Sequence, residues 1–195
     1  MVKKYSLTLC FLSLVTLTLT GCFGGGDDIQ DERPESYTTY NAPAFSIYIP
    51  QDWEIIKQHE FSEDIPPQTQ VVFRNNIKND VFTSNANVTK KLLDSPKSSY
   101  DFANSSIEDN KATLLNYREI SRNDEFNLII GGEIEKTVLT MFEGKPDETS
   151  PTLRMVQTYA VNGADAYQIT AAYLASADEF EAETAESIVK SFKIK

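Results

Sequence analysis

Apolar and polar residues alternate along much of the chain after residue 44, which is the pattern of β-strands with one buried face. The run FSIYIP shows it clearly, because Phe45, Ile47 and Ile49 recur at every second position and Pro50 closes the run. The same criteria predict further strands at 52–58, 69–75, 84–92 (more polar than the others), 114–121, 125–130, 133–142, 152–161 and 166–174.

Short turn signals separate the later strands. Asn162-Gly163 lies between the last two runs, and Asn-Gly is the strongest short signal for a β-hairpin. Gly131-Gly132 marks the entry to the run 133–142. Hairpin signals predict a sheet that is mainly antiparallel.

Two segments carry helical spacing instead. The first runs from Ser98 to about Asn110, and either Ser98 or Ser99 can cap it. Apolar residues recur there at spacings of three and four, as a helix that buries one face requires. They are Tyr100, Ala103 and Ile107.

The second predicted helix closes the chain. Ser176 and Glu179 have the spacing of a capping box, and Asp178 and Glu179 would lie at the positive end of the helix dipole. One stripe is apolar and is expected to be buried: Phe180, Ala185, Ile188, Val189 and Phe192. Another is charged, and is expected to be a solvated face rather than a calcium site: Glu179, Glu183, Glu186 and Lys190.

The late strands are apolar on both sides. In the run 133–142, Val138 and Phe142 point one way while Leu139 and Met141 point the other, and 166–174 shows the same double pattern. A sheet with two apolar faces must be covered on both. The predicted fold is therefore α+β, an αβα sandwich with a mainly antiparallel sheet and helices on both faces.

The first residues resemble the export signal of bacterial lipoproteins. Two lysines precede an apolar run that is too short to span a bilayer, and the run ends in Leu19-Thr20-Gly21-Cys22. That tetrapeptide resembles the bacterial lipobox. The resemblance implies that residues 1–21 are a signal peptide and that Cys22 carries a diacylglycerol lipid. The alternative is an ordinary signal that happens to contain a thiol.

The expected organisation follows from the lipobox. Cys10 would be removed with the signal, so Cys22 would be the single mature cysteine and an intramolecular disulfide would be impossible. Residues 22–43 are rich in Gly, acids and hydroxyls and are expected to form a flexible tether, with a single domain over 44–195. The anchor would place that domain outside the cytoplasm on the cell membrane or the outer membrane. Phe23, rather than Asp, favours the outer membrane in two-membrane bacteria.

Three segments together resemble the PsbP-like family: FSIYIPQDWEIIKQ, IIGGEIEKTVLTMF and AYQITAAYLASADEFEAETAESIVKSFKI. The similarity covers about residues 44–195. The family includes an extrinsic subunit of photosystem II and bacterial lipoproteins, and a Ran-binding nuclear-import factor shares its fold. The resemblance implies a non-enzymatic binding or assembly domain. It carries over no ligand site.

Composition narrows the functions further. The chain has 18 basic and 29 acidic residues, a net charge of −11 and no basic stripe, which argues against nucleic-acid binding. Its one histidine, His59, is expected at a loop or strand end rather than in a catalytic triad. No metal-ligand cluster, nucleophile motif or phosphate loop appears, so neither a cofactor nor catalysis is expected.

Three functions remain open at this point. The preferred hypothesis is a lipid-anchored, non-catalytic module that binds another envelope protein. The alternatives are an envelope hydrolase that uses two carboxylates, one with a raised pKa, and a carrier with a closed cavity for an apolar ligand. Five aromatic residues could either line such a cavity or fill the core, and a place in the core is the favoured interpretation. They are Tyr48, Trp53, Tyr159, Tyr167 and Tyr173.

Overall fold

The computed structural model describes residues 33–63 and 65–195. Within these residues the chain forms ten β-strands, two α-helices and one short 3₁₀ helix. The expected signal peptide, the lipobox and Cys22 lie outside the described residues, so those predictions stay predictions.

The elements follow one another in an α+β order. After the first five strands comes α1, then four long strands, α2 and a short closing strand. Their bounds are β1 Tyr37–Asn41, β2 Phe45–Pro50, β3 Glu54–Lys57, a 3₁₀ helix Gln58–Glu60, β4 Thr69–Arg74, β5 Asn85–Leu92, α1 Ser99–Thr113, β6 Leu115–Ile130, β7 Glu133–Lys145, β8 Leu153–Asn162, β9 Asp165–Leu174, α2 Glu179–Lys190 and β10 Lys193–Ile194.

All ten strands belong to one curled sheet. Their order is β1-β2-β10-β6-β7-β8-β9-β5-β4-β3, and every neighbouring pair is antiparallel except β10 and β6. The curl brings the two edges of the sheet together. The ring of Tyr40 on β1 lies edge-on to that of Phe73 on β4, with centroids 5.2 Å apart, although these strands are far apart in the sheet order.

β1 corrects the expected extent of the tether. It lies inside the segment 22–43 and pairs along its whole length with β2, from Tyr37 opposite Pro50 to Asn41 opposite Ser46. The compact unit begins at Arg33. The sequence analysis did not predict this strand because β1 is mostly half-buried and rich in hydroxyl side chains, so its apolar and polar residues do not alternate clearly.

A second correction concerns β6, where one strand replaces two predicted ones. The pairing of β6 with β7 is shifted at three places, including the stretch between Asn123 and Phe126. Each shift moves side chains to the other face of the strand and breaks the period of two. The polar stretch in the middle therefore resembled a loop, although the strand continues through it.

The hairpin predicted at Asn162-Gly163 is confirmed, and Gly131-Gly132, expected as a strand entry, forms a second one. β6 and β7 are joined through Gly131 and Gly132, whose φ angles are 61° and 89°, and β8 and β9 are joined through Gly163, whose φ is 63°. These left-handed conformations strain any residue with a Cβ, which explains why glycine occupies the turns.

Helix α1 agrees with its prediction in place and cap, but Tyr100 of the predicted apolar face is only half-buried and Phe102 is buried instead. The Ser98 hydroxyl accepts a hydrogen bond from the Asp101 amide at 3.0 Å and caps the helix. The adjacent Ser99 hydroxyl accepts one from the Val161 amide at 2.9 Å, which fastens the helix to the end of β8. Its buried apolar residues, Phe102, Ala103 and Ile107, pack with Val138, Tyr159, Val161 and Ala166.

Helix α2 agrees in part. Its cap is Asp178, whose carboxylate accepts from the Glu181 amide, and not the predicted Ser176. Ile188 and Val189 are fully buried, as is Phe192 in the turn that follows the helix. Phe180 is the exception, since 74% of it is exposed. It lies one turn before Thr184, the first buried residue of α2, beyond the part of the helix that packs on the sheet.

The buried side chains of β8 alternate between two clusters. Val156 and Ala160 pack in the large cluster that contains the buried face of α2, whereas Tyr159 and Val161 pack in the cluster that contains α1. In β9, Tyr167, Ile169, Ala171 and Tyr173 join the α2 cluster, as the sequence pattern predicts. The late strands are thus apolar on both of their faces.

Candidate functional site: a lysine groove beside α1

An open groove of about 470 Å³ lies between α1 and the strands β5 and β9. Three lysines give it its character, and we call it the lysine groove. Its polar lining includes Lys90, Lys91, Lys97, Gln68, Asp109 and Gln168, and its apolar lining includes Leu93, Phe102 and Ala166.

The groove exists because α1 covers only part of its sheet face. The helix packs on β7 and β8, while β5 and β4 lie farther along the sheet. On β5, Ala86 and Val88 are buried in the α2 cluster, whereas the alternate residues Asn87 and Thr89 are only half-buried and Lys91 is exposed. The uncovered strip beside α1 therefore presents polar side chains above a partly apolar floor.

The three lysines differ in how they are held. The Lys90 ammonium lies 2.7 Å from a carboxylate oxygen of Asp165 and 5.8 Å from the centre of the Tyr167 ring. The hydrogen bond to Asp165 raises the pKa of Lys90. Lys97 donates to the Ser105 hydroxyl at 3.2 Å. Lys91 is exposed and forms no ion pair with another residue of the described ranges. It is the lysine most available to a ligand.

A buried polar network supports the groove from below. Asn110, which lines the groove, donates to the Gln157 side-chain oxygen at 2.8 Å, and the Tyr159 hydroxyl donates to the same oxygen at 2.7 Å. The Gln157 amide then donates to the Thr170 hydroxyl at 2.9 Å. Burial raises the pKa of Tyr159, so the phenol stays protonated and keeps its donor role. The network fixes α1 relative to β8 and β9.

A second open cavity of about 420 Å³ adjoins the first and shares Lys90 with it. It lies at the seam where the curled sheet meets itself, between the β1–β2 turn and the residues that follow β3. Lys57, His59 and Tyr40 line it. Basic side chains therefore continue from the lysine groove into the seam.

A buried carboxylate, that of Glu143, belongs to an ion-pair cluster outside the groove. Glu143 on β7 is only 8% exposed and lies 2.6 Å from both Arg118 and Arg154. Hydrogen bonds from Arg154 first, and then Arg118, hold the pKa of Glu143 below its ordinary value. A carboxylate stabilised in this way stays ionised and is a poor general acid at neutral pH.

The pKa values of two further acids, exposed Asp147 and half-buried Asp124, are also lowered. Hydrogen bonds from Thr149 and Ser150 lower the pKa of Asp147, and a hydrogen bond from Arg122 lowers the pKa of Asp124. A hydrolase with a carboxylic general acid needs the opposite shift, from burial in apolar surroundings. These three carboxylates do not supply it.

The other predicted site residues fall outside a catalytic arrangement. His59 lies in the 3₁₀ helix directly after β3 and is exposed, in agreement with the strand-end position expected. Tyr48, Tyr159, Tyr167 and Tyr173 are buried and Trp53 packs half-buried against the core. The aromatic residues thus fill the core, as the sequence analysis favoured.

Within residues 33–63 and 65–195, no group of three or more His, Cys, Asp or Glu side chains is placed to hold a metal ion. Among the same residues, neither helix has the length and hydropathy needed to cross a bilayer.

The sequence analysis missed the lysine groove. Lys90 and Lys91 lie in a predicted polar strand, and Lys97 lies just before a predicted helix. The sequence pattern does not show that these two segments are close in space. The one available signal was the pair of adjacent lysines, Lys90 and Lys91, in a chain of net charge −11. The groove itself depends on where α1 packs on the sheet relative to β5 and β9, which is a tertiary arrangement.

With the geometry in place, three solved structures show what the chain resembles. The cyanobacterial PsbP protein CyanoP of Synechocystis sp. PCC 6803 matches with a TM-score of 0.53 and 15% identity, over 91% of this chain and 99% of that one. The chain has a PsbP-like fold. The fold that the sequence resemblance implied is therefore confirmed.

Two further structures share this PsbP-like fold. The Ran-binding protein Mog1p of Saccharomyces cerevisiae matches with a TM-score of 0.52 and 11% identity, over 81% of this chain and 95% of that one. LpqN of Mycobacterium tuberculosis is described as involved in cell envelope biogenesis. It matches with a TM-score of 0.53 and 14% identity, over 82% of this chain and 90% of that one. No family model and no curated protein sequence matches the chain. At these identities the likeness shows the fold alone.

Proposed function

We propose that this protein is a lipid-anchored, non-catalytic binding or assembly module that faces outside the cytoplasm and uses the lysine groove to hold another envelope protein. The lipid on Cys22 would attach it to the cell membrane or the outer membrane. The observation that carries the proposal is the groove itself, an open cavity with three lysines on a chain whose net charge is −11.

The chemistry of the groove favours an acidic, polar segment of a partner. Lysine ammonium groups are compact point charges that pair with carboxylates, while the side-chain amides of Gln68 and Gln168 both donate and accept hydrogen bonds. Charge complementarity of this kind sets the orientation and rate of association more than its strength. The apolar floor would add buried area.

A binding role without turnover agrees with the carboxylates described above. Glu143, Asp124 and Asp147 have lowered pKa values, and Glu143 is occupied by two arginines. The structural neighbours point the same way, since Mog1p is described as Ran-binding and LpqN as involved in cell envelope biogenesis.

The two helices also have a proposed arrangement relative to the sheet. Neighbouring residues of β8 point to opposite sides of the sheet. Since Val156 and Ala160 contact the α2 cluster and Tyr159 and Val161 contact the α1 cluster, we infer that the two helices lie on opposite faces. The groove would then occupy the part of the α1 face that α1 leaves open.

The anchor is tested by Cys22→Ser. The variant should fail to incorporate labelled fatty acid and should either keep its signal or appear in the soluble fraction. Wild-type protein should carry the label and remain with the membrane. A Cys22→Ser chain that is still acylated would show that the lipid is attached elsewhere.

The groove is tested by site-specific crosslinking in the native envelope. A photo-crosslinking residue at Lys91 should capture a defined partner, and the yield should fall strongly when Lys97→Glu is added. Lys111→Glu is the matched control, because Lys111 lies in the last turn of α1 but does not line the groove. If Lys97→Glu and Lys111→Glu leave the yield equal, the groove is not the binding surface.

Turnover is tested by screening the protein against ester, glycoside, peptide and phosphate substrates. The proposal expects none to be hydrolysed. Activity that disappears when one Asp or Glu is replaced, while the fold stays intact, would favour the hydrolase instead.

A further inference from the structure

Three large apolar side chains are exposed on two segments that meet at one end of the sheet, and we call them the apolar end. They are Ile77 and Val81 in the β4–β5 connection, at 76% and 66% exposure, and Phe180 at the start of α2, at 74%. A small cleft brings their elements together, because Asn75, Ser84, Phe180 and Trp53 all line it. The Ser84 hydroxyl also bonds the Glu181 carboxylate.

The β4–β5 connection holds its apolar residues outward by its own hydrogen bonds. The Asn75 side-chain oxygen accepts from the Ile77 amide at 2.9 Å, and the Asn79 side-chain oxygen accepts from the Val81 amide at 2.8 Å. The Asn76 side chain bonds the Asp52 carbonyl. Turns closed by asparagine in this way have a defined backbone path. The exposure of Ile77 and Val81 is therefore a built feature of the loop.

The described chain begins at the same end of the molecule. Gln51 fastens it there: its amide donates to the Ser36 carbonyl at 2.9 Å and its side chain donates to the Glu35 carbonyl at 3.1 Å. Gln51 precedes Asp52, whose carbonyl holds the β4–β5 connection through Asn76. A short series of contacts thus links residues 35 and 36 to the apolar end.

We propose that the apolar end rests on the membrane that carries the anchor, with Ile77, Val81 and Phe180 at the boundary between lipid headgroups and acyl chains. This inference rests on the proposed lipid attachment at Cys22. Eleven residues run from Cys22 to Glu32, and even fully extended they span no more than about 40 Å. Because β1 takes up residues expected in the tether, Arg33 and the end of the domain where it lies would stay within that distance of the bilayer.

The charges around the apolar end select the lipid. Acidic neighbours outnumber basic ones there, since Asp52, Asp80 and Glu179 stand against Lys78, and the net negative charge would be repelled by anionic headgroups. Zwitterionic lipid lacks that repulsion, and Phe, Ile and Val are side chains that enter an interface by burying apolar area. The occupant is therefore a zwitterionic lipid surface.

The orientation has a consequence for the lysine groove. Asn85 lines the cleft beside Phe180, and Lys91 lines the groove six residues later on the same strand, which corresponds to about 20 Å. A domain that rests on its apolar end would keep Lys91 away from the lipid. The groove would then remain open to a partner in the aqueous compartment.

Trp53 is a natural probe for this contact, because it is the single tryptophan of the chain and lies in the cleft beside Phe180. The full chain, with its acylation confirmed by intact mass, is reconstituted into phosphatidylcholine vesicles with brominated acyl chains. Trp53 fluorescence should be quenched relative to vesicles of unbrominated lipid. Added anionic phosphatidylglycerol should reduce the quenching.

Variants then separate docking from mere attachment. Phe180→Ser and the double change Ile77→Ser with Val81→Ser should remove most of the quenching while the protein stays with the vesicles. Leu92→Ser and Ile134→Ser are matched controls, since both residues are exposed apolar side chains at the other ends of β5 and β7. They should leave the quenching unchanged.

The outcomes distinguish the two proposals. A chain without lipid on Cys22 would defeat the proposed anchoring. An acylated, vesicle-bound chain whose Trp53 is unquenched, or whose quenching is the same in the Phe180→Ser and Leu92→Ser variants, would overturn the docking inference alone. Chemical crosslinking between two copies that depends on Phe180 would overturn it too, in favour of self-association.

Discussion

The two helices pack on the sheet with contrasting chemistry. α2 buries Ala185, Ile188 and Val189 in the large apolar cluster. The ring of Phe192, just after the helix, lies 5.3 Å from the Phe45 ring and 6.0 Å from the Tyr167 ring, measured between centroids. α1 also buries three apolar residues, Phe102, Ala103 and Ile107, and it adds polar contacts to β8 through the Ser99 hydroxyl and the Asn110 side chain. The α2 region is built for stability, whereas the α1 region combines packing with directed hydrogen bonds beside an open groove.

The contrast has a physical reason. Apolar packing is roughly proportional to buried area and is not directional, so it stabilises a core without fixing a particular orientation. Hydrogen bonds in a buried network are directional, and each group needs its partner. α1 forms one wall of the lysine groove, so its position defines the shape of the groove. The polar network beneath α1 fixes that position.

The largest expected effect is in the α2 region. Phe192→Ala should lower the free energy of unfolding by about 3 to 4 kcal/mol, because it removes a fully buried ring and leaves a cavity. Urea unfolding followed by circular dichroism measures the change. A chain truncated after Ala175, which lacks α2 and β10, should not fold cooperatively. A truncated chain that melts at the wild-type temperature would contradict the assignment of the main core to α2.

The α1 region should respond through hydrogen bonding. Gln157→Ala should cost about 2 kcal/mol, because it leaves the Asn110 amide and the Tyr159 hydroxyl without their shared acceptor. Tyr159→Phe is the control, since it removes one donor and keeps the ring, and it should cost about 1 kcal/mol. The same urea titration measures both. Equal losses in the two variants would mean that the network is not organised around Gln157.

A smaller effect concerns the pH dependence of stability. The pKa of Glu143 is lower in the folded chain, so its ion pairs stabilise the fold above the ordinary carboxyl pKa and lose that contribution as the pH falls through the folded value. Glu143→Gln should therefore be less stable than wild type by about 1 to 2 kcal/mol at pH 7, with the gap narrowing in acid. Thermal melts from pH 7 to pH 3 measure it. Glu183→Gln, an exposed change on α2, should show no such gap.

The smallest expected effect is at the exposed end of α2. Phe180→Ser should change the free energy of unfolding by less than about 0.5 kcal/mol, because the ring is mostly in solvent. Compared with Phe192→Ala, it separates two phenylalanines that one predicted stripe had placed together. A loss as large as that of Phe192→Ala would show that the Phe180 ring is buried in solution.

Local patterns gave reliable predictions where the structure is itself local. The strand FSIYIP, the Ser98 cap of α1 and the turn at Gly163 depend on neighbouring residues, and each agrees with its prediction. The cap of α2 moved from Ser176 to Asp178 because both residues can accept from a helical amide, and the docking of α2 on the sheet selects between them.

The amino-acid sequence by itself determined the α+β class, the hairpins and the two apolar faces of the late strands, since side-chain period and turn chemistry are properties of short segments. Only the tertiary structure decided that β10 pairs in parallel with β6, that β1 belongs to the sheet, that Phe180 is exposed and that three lysines meet beside α1. Each of these depends on contacts between residues distant in the chain. Such contacts are set by how the whole sheet curls and where each helix packs on it, which no local period encodes.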